Sequence, residues 1–312
     1  MGKRQHLIIA ICLLLVLSSC GQRQGEVDQE NHAAQELPSL SPVTSLSIPA
    51  DFHYDNFVSL DHTLFLHGTG NNGPAFFCID METDTISDIK LPVSGPVLDL
   101  SVSNGGACLA TVYSSRLDET GTPRGHFTLF EIGRDALVRK QVELAGIDRI
   151  NLLAIGTPVV NGCAVLNDRI LIIVNNRVVL LDDDGKLIDS VIMDSVHPRI
   201  AGASAPSACI YDVVDGKVSA ALLSVSQENE LSVRPMDCPP SCADIIPTAA
   251  GDSIFVVQDN TVYSCKFELQ NNRMRPAWIF PYGYSGEKKF FYDGEETLLE
   301  CYNGRVAVYR IQ

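Results

Sequence analysis

Residues 169–188 read RILIIVNNRVVLLDDDGKLI, and this stretch decides the fold. Two apolar runs, Arg169–Val174 and Val178–Leu181, flank a polar pair at 175–176, and a second polar turn, Asp182–Gly185, leads into a third apolar segment. Runs rich in β-branched residues, separated by residues that tolerate positive φ, are typical of β-hairpins. The stretch therefore predicts consecutive antiparallel strands.

The same pattern recurs along the chain after residue 46. Its six copies are anchored on residues at equivalent strand positions, Ile79, Phe130, Leu181, Ser224, Lys266 and Tyr309. The anchors are separated by 51, 51, 43, 42 and 43 residues. A period of about 40–50 residues suits the four-stranded blade of a β-propeller. Six copies predict six blades.

The end of the chain indicates how the ring closes. The sixth copy stops at Gln312, one strand short of a full blade. Because an unpaired edge strand is a template for aggregation, the missing strand must come from elsewhere, and Ser45–Pro49 is the natural donor. We therefore predict an all-β, six-bladed β-propeller over residues 46–312, closed by N- and C-terminal strands in the last blade. A β-sandwich pair and a seven-bladed ring are the alternatives.

The composition limits the partners of this chain. It has 312 residues, 46% of them hydrophobic, and a formal net charge of −15. The apolar content suffices for a sizeable core. No run of Lys and Arg is present, so we expect no nucleic-acid partner.

The N-terminus predicts export and lipidation. Lys3 and Arg4 precede an apolar run, Leu7–Leu17, that is too short to span a bilayer and suits a signal peptide over residues 1–19. The sequence Leu17-Ser18-Ser19-Cys20 resembles the bacterial lipobox, which implies that Cys20 becomes the lipidated first residue. An ordinary signal peptide with an incidental Cys20 is the alternative. Residues 20–45 are polar and read as a flexible tether.

The lipobox, the tether and the six repeats together resemble the six-bladed, TolB-like propeller lipoproteins common in Bacteroidota. The resemblance rests on FFCIDMETDTI (76–86), RVVLLDDDGKLI (177–188) and GRVAVYRIQ (304–312). It implies a protein of the cell envelope, held by lipid on the outer membrane and facing the periplasm or the cell surface. The family mostly lacks an assigned activity.

Two motifs could have a chemical role, and each also has a simpler structural interpretation. Cys238-Pro239-Pro240-Ser241-Cys242 lies in a loop and is a candidate local disulfide, whereas other body cysteines lie in apolar strands and suit buried thiols. Asp182–Gly185 looks calcium-like but lacks the closing glutamate of an EF-hand loop, which favours a solvated hairpin turn. The sequence indicates no cofactor and no metal site.

Ligands of propellers usually bind at one mouth of the channel, on the loops that lead from one blade into the next. Eight residues in or beside those loops are candidate ligand-binding residues, namely His53, Tyr54, Asp148, Arg149, His197, Arg199, Tyr282 and Tyr284. Aromatic and Arg side chains are common in binding hot spots. For each of them, a surface or structural position is the alternative.

No Ser, His and Asp grouping emerges from the spacing of these residues, and no catalytic motif is complete. We therefore expect a membrane-anchored, non-catalytic binding module that presents its loop face to a peptide, a glycan or an envelope protein. The alternative is a propeller hydrolase or lactonase with a channel metal, calcium being the ion expected. A structural subunit of an outer-membrane complex is a third possibility.

Overall fold

The computed structural model describes residues 37–43, 46–117, 119–121, 123–148, 159–267, 274–280 and 283–312. Within these residues, 24 strands form six four-stranded antiparallel sheets, and the described helix is a single turn, α1 (Ala145–Asp148). The predicted six-bladed, all-β propeller is therefore confirmed. Among these residues, no helix is long and apolar enough to cross a membrane.

Each blade is a meander of strands that are consecutive in sequence, except the sixth. The strands of blades 1 to 3, from the innermost to the outermost, are β2 (His53–Leu60), β3 (Thr63–Gly70), β4 (Gly73–Asp80), β5 (Thr85–Asp88); β6 (Val97–Val102), β7 (Cys108–Leu117), β8 (Pro123–Ile132), β9 (Val138–Glu143); and β10 (Val160–Leu166), β11 (Arg169–Val174), β12 (Arg177–Leu181), β13 (Leu187–Ile192).

The strands of blades 4 to 6 follow in the same order. They are β14 (Arg199–Ser204), β15 (Ser207–Val214), β16 (Lys217–Val225), β17 (Leu231–Met236); β18 (Asp244–Ile246), β19 (Ser253–Gln258), β20 (Thr261–Lys266), β21 (Arg275–Ile279); and β22 (Lys289–Tyr292), β23 (Thr297–Tyr302), β24 (Arg305–Ile311), with β1 (Leu40–Pro42) as the outermost strand of blade 6.

Two polar pairs between adjacent strands have the backbone geometry of hairpin turns. Asp259 and Asn260 have φ of 47° and 65°, and Asn303 and Gly304 have φ of 51° and 71°. Two successive residues with positive φ match the twist of the flanking strands, which explains why Asn, Asp and Gly occupy these positions. These turns set the register of β19 with β20 and of β23 with β24.

The innermost strands are joined directly from blade to blade around the ring. The amide of Cys163 in blade 3 donates to Ser101 Oγ in blade 2 at 3.1 Å, and the amide of Thr248, after β18, donates to the carbonyl of Ala201 in blade 4 at 2.7 Å. Thr248 also forms a parallel bridge with Tyr292 in blade 6. Blade 6 in turn contacts β2 of blade 1, which completes the circle.

Closure by opposite termini is confirmed, but the donor segment predicted for it is wrong. The strand that completes blade 6 is β1, in which Leu40 pairs with Ile311 and Pro42 with Tyr309. It lies inside the segment predicted as tether, five residues before Ser45–Pro49. Pro42 is tolerated there because an edge strand needs no donor on its outer side.

The predicted donor has a different role. Leu46 and Ile48 pack against the apolar cluster of blade 1, and Ser47 donates from its amide and its hydroxyl to Asp84 at 2.6 Å each. The apolar alternation of Leu46 and Ile48 therefore reflects side-chain packing across blades 6 and 1, and neither residue belongs to a strand.

The acidic turn Asp182–Gly185 is a structural hairpin, as the plainer interpretation predicted. Asp182 Oδ1 accepts the amides of Asp184 at 3.1 Å and Lys186 at 2.7 Å. Gly185 has φ of 79°, and its carbonyl accepts the amide of Gly146 at 2.9 Å. The turn thus fastens blade 3 to α1, which leads out of blade 2.

Candidate functional site

The ring surrounds an axial cavity of about 1030 Å³ that is lined by residues of all six innermost strands. Each innermost strand is reached by a loop from the outermost strand of the preceding blade, so the six strands begin at the same end of the axis. We call this end the mouth. Residues at the start of these strands, including Asp55, Asp99, Arg199, Asp244 and Lys289, line the cavity.

The innermost strands are irregular near the mouth. In each of blades 1 to 4 the pairing with the second strand is shifted by one residue, at Asp55, Leu98, Asn161 and Ala201. Bulges of this kind turn a side chain away from its regular direction and are frequent next to functional sites. Four bulges at equivalent positions therefore shape the cavity wall near the mouth.

Blades 4 to 6 contribute a network of four polar side chains to the cavity wall. The hydroxyl of Tyr284 donates to Asp244 Oδ2, and the amide of Ile245 donates to Asp244 Oδ1 at 2.8 Å. Arg199, at the start of β14, lies opposite the buried Tyr211 of β15, and its guanidinium lowers the pKa of that phenol. The guanidinium is itself exposed to the cavity.

Burial dominates the electrostatics of this network. It raises the pKa of Asp244, although the Tyr284 hydroxyl, the Ile245 amide and the charge of Arg199 oppose the shift. Burial also raises the pKa of Tyr284, and the adjacent Asp244 adds to that effect. The Tyr211 pKa is raised chiefly by burial as well, so both phenols are neutral donors at physiological pH.

Blade 2 contributes a second acidic group. Asp99 lies in β6 behind the bulge, and its Oδ2 accepts the hydroxyl of Ser101 at 2.6 Å. Burial raises the pKa of Asp99 to about 6, although the Ser101 hydrogen bond opposes the rise. Asp99 is therefore largely ionised at neutral pH and changes its charge in mildly acidic solution.

The loop that enters blade 6 brings two lysines to the mouth. Lys288 Nζ lies 2.7 Å from Glu300 Oε1, and the two side chains are only 21% and 14% exposed. The neighbouring Lys289 begins β22 and is exposed at the mouth. Lys288 is thus held by an ion pair within blade 6, whereas Lys289 points its charge towards solvent.

The sequence-predicted ligand residues separate into three groups. His197, Arg199 and Tyr284 line the cavity. His53 and Tyr54 lie before the cavity wall, which begins in blade 1 at Asp55. Tyr54 is buried between Phe52 and Phe77 and donates its hydroxyl to the carbonyl of Pro49 at 3.2 Å, which is a structural role.

The remaining predicted residues lie at the edge of the described chain or outside it. Asp148 is the last residue of α1, and Arg149 and Tyr282 lie outside the described residues, as does Cys20. The predicted disulfide is not formed, and Cys238 and Cys242 are free thiols. Cys242 is instead buried between blades 4 and 5, where its Sγ donates to the carbonyl of Asp244 at 3.5 Å.

Three residues of the cavity were not identified from the sequence, namely Asp99, Tyr211 and Asp244. All three lie within strands, whereas the candidates predicted from the sequence were chosen in or beside the loops between blades. An acid inside the apolar run VLDLSV (97–102) was the available signal, because an unpaired carboxylate is costly in a strand that is buried on both faces.

Comparison with solved structures agrees with the architecture. The chain is similar to a luciferin-regenerating enzyme, with 11% identity and a TM-score of 0.50 over 88% of this chain and 95% of that one. The β-propeller domain of Cps50 (Swd1) from Myceliophteria thermophila matches at 12% identity and a TM-score of 0.47, over 83% and 98% of the two chains.

A structural genomics protein of unknown function from Bacteroides thetaiotaomicron matches at 10% identity and a TM-score of 0.47, over 88% of this chain and 72% of that one. At 11% identity the likeness to the luciferin-regenerating enzyme shows the fold alone. No protein-family model matches the chain, and no curated protein matches it.

Proposed function

We propose that this chain is a lipid-anchored binding protein of the cell envelope, and that its ligand enters the axial cavity from the mouth. The observation that carries the proposal is a cavity of about 1030 Å³ whose wall receives polar side chains from several blades. Small-ligand sites are typically about 300–1000 Å³ and combine a largely preformed shape with a few placed polar groups. The cavity has the size and the chemistry of such a site.

The construction of the wall favours binding by a preorganised site. Asp244 is fixed by two hydrogen bonds and Asp99 by Ser101, and Arg199 lies opposite Tyr211 in the sheet. All three charged groups stand on strands rather than on free loops. Because a fixed side chain loses little conformational entropy when a ligand arrives, such groups contribute strongly to affinity.

Lipidation at Cys20 would hold this site at a membrane surface. Because Ser39 already exchanges hydrogen bonds with Gln312, the intervening residues 21–38 would form the tether. A flexible chain of that length reaches roughly 25 Å by the square-root rule, which lifts the propeller clear of the lipid headgroups. Removal of residues 1–19 takes Lys3 and Arg4 from the 23 basic residues and leaves 21 against 38 acids, a net charge of −17. Repulsion from anionic lipid then favours the raised position.

The partner in this proposal is a peptide, a glycan or a segment of an envelope protein, presented to the mouth from the periplasm or the cell surface. The alternative is a hydrolase or lactonase with a channel metal. Within the described part of the chain, no group of three His, Cys, Asp or Glu side chains could hold a metal ion. Asp99 and Asp244 belong to blades 2 and 5 and do not form such a set.

A thermal-shift screen tests the proposal. Short peptides and oligosaccharides are added to the wild-type chain, to Arg199→Gln, and to Arg234→Gln. Arg234 is exposed on β17, away from the cavity, and is matched to Arg199 in charge. We expect ligands that raise the melting temperature of the wild type and of Arg234→Gln but not of Arg199→Gln. Shifts that survive in Arg199→Gln would place the ligand elsewhere.

The same thermal-shift assay distinguishes the binding module from the alternative, a hydrolase or lactonase with a channel metal. A melting temperature that falls when calcium is chelated, and recovers when calcium is restored, favours the metal-dependent hydrolase. Indifference to the chelator favours the binding module.

A further inference from the structure

Two charged groups of the cavity wall have no ion-pair partner among the described residues. Asp99 in blade 2 accepts the Ser101 hydroxyl, and Arg199 in blade 4 lies against the neutral Tyr211. No described side chain of opposite charge lies within 4.0 Å of either, although the charge of Arg199 does reach Asp244. The cavity therefore presents one anionic and one cationic group that are both open to a ligand.

The other charged side chains of the cavity wall either have a partner or lie in other parts of the wall. Lys288 is paired with Glu300, and Asp244 is held by Tyr284 and the Ile245 amide. Glu287 and Lys289 are exposed where the chain enters blade 6, and Asp55 lies in blade 1, where its charge and that of Lys289 both reach Cys301. Asp99 and Arg199 remain as the pair separated by blade 3.

Arg199 and Asp99 each favour a different charged group on the ligand. A guanidinium that lines a cavity offers several donors in a fixed plane, which fits a carboxylate bidentately. A carboxylate in a partly buried wall attracts a compact ammonium group. A ligand that satisfies both must carry an anion and a cation at a distance from each other.

We propose that the cavity binds short peptides with free termini, the terminal carboxylate on Arg199 and the terminal ammonium on Asp99. This inference rests on the proposed function and specifies its ligand. A tripeptide is about 10 Å long when extended, and the cavity volume of about 1030 Å³ leaves room for its side chains. Blade 3, between the two charged groups, places the amide side chain of Asn161 beside the path of such a peptide.

Isothermal titration of the full chain in mild detergent with four probes tests this. The probes are trialanine, N-acetyl-trialanine, trialanine amide and the neutral trisaccharide maltotriose. We expect trialanine to bind, and each blocked terminus to weaken the binding at least tenfold. In Arg199→Gln, trialanine should bind no better than its amide does to the wild type. In Asp99→Asn, trialanine should bind no better than the acetylated form does to the wild type.

A single cooperative thermal transition in both variants shows that they fold. Equal binding of free and blocked peptides overturns the inference, and so does the absence of heat with trialanine at millimolar concentration. Maltotriose binding that depends on Arg199 would overturn this inference alone and keep the channel as the site. The proposed function would be contradicted as well if none of the four probes bound and if no compound in the thermal-shift screen gave a shift that depends on Arg199.

Discussion

The hydroxyl of Tyr284 donates a hydrogen bond to Asp244 Oδ2, and this contact joins the loop that enters blade 6 to the innermost strand of blade 5. The two residues are 40 positions apart in sequence. Asp244 is thereby fixed at the mouth beside Arg199, whose charge also reaches it. The network of the candidate site is thus built across a blade boundary.

Replacement of Tyr284 by Phe should destabilise the chain. The change leaves a half-buried carboxylate with one hydrogen bond fewer, which typically costs about 1–2 kcal/mol. The pKa of Asp244 should rise further, because the Tyr284 hydroxyl holds it down. Urea unfolding of the chain from residue 37, which contains all six sheets, measures the loss. Tyr302→Phe, at an exposed position on β23, is the control and should leave the midpoint unchanged.

The contribution of Asp99 to the free energy of unfolding should depend on pH. Its pKa in the folded chain is about 6, above the ordinary value of 3.8, so the folded state holds the proton to a higher pH than the unfolded state. Ionisation therefore disfavours the folded state as the pH rises through this range. A shift of two units corresponds to about 2–3 kcal/mol.

The measurement is the free energy of unfolding of wild type and Asp99→Asn at pH 4 and pH 7.5. We expect the wild type to lose stability relative to the variant between the two pH values. The comparison of the two chains cancels the other titrating groups. A difference that stays constant with pH would show that Asp99 has the same pKa in both states.

Gly185 should be irreplaceable in the acidic turn. It has φ of 79°, and a Cβ there would lie 2.0 Å from the carbonyl oxygen of Glu143. Gly185→Ala combines a left-handed backbone with a backbone clash, and we expect a loss of about 3 kcal/mol or more. Gly216 has φ of 70° and nothing within 4 Å, so Gly216→Ala should cost only about 1 kcal/mol. Similar losses for both variants, by urea unfolding, would refute the packing of blade 3 on β9.

The cysteines should be free and slow to react. All eight cysteines of the described chain are free, and only Cys238 is not fully buried. Burial raises the pKa of Cys242 and Cys265 to about 12, so little thiolate is present at pH 8. In the chain from residue 37, Ellman's reagent should detect no more than one fast thiol in the folded state and eight after unfolding. A count of six in the unfolded, unreduced chain would instead indicate a disulfide such as Cys238–Cys242.

Much of the fold was predictable because each blade repeats a local pattern. The strands Arg169–Val174 and Val178–Leu181 and the turns at Asp259-Asn260 and Asn303-Gly304 depend on neighbouring residues, so the sequence reveals them. The closing strand was misplaced, since pairing with β24 is a contact between the two ends of the chain. Leu46 and Ile48 alternate as a strand does, although they pack against blade 1.

The candidate site was predictable only in part. His197, Arg199 and Tyr284 lie in or beside loops whose place at the mouth follows from propeller topology. Asp99, Tyr211 and Asp244 lie in strands, and their convergence depends on the bulges and on the curvature of the ring. Neither the bulges nor the curvature can be inferred from a local sequence pattern, so the three residues appear in the sequence as ordinary strand positions.

The six-bladed ring is completed by β1, which joins the N-terminal segment to blade 6, and hydrogen exchange measures this closure directly. The amide of Val43 donates to the carbonyl of Val308 at 2.8 Å, and Gln312 exchanges hydrogen bonds with Ser39. For the chain from residue 37, we predict that the amide of Val43 exchanges as slowly as those of β23 and β24. Exchange of Val43 at the rate of an unfolded peptide, while β23 stays protected, would contradict the closed six-bladed ring.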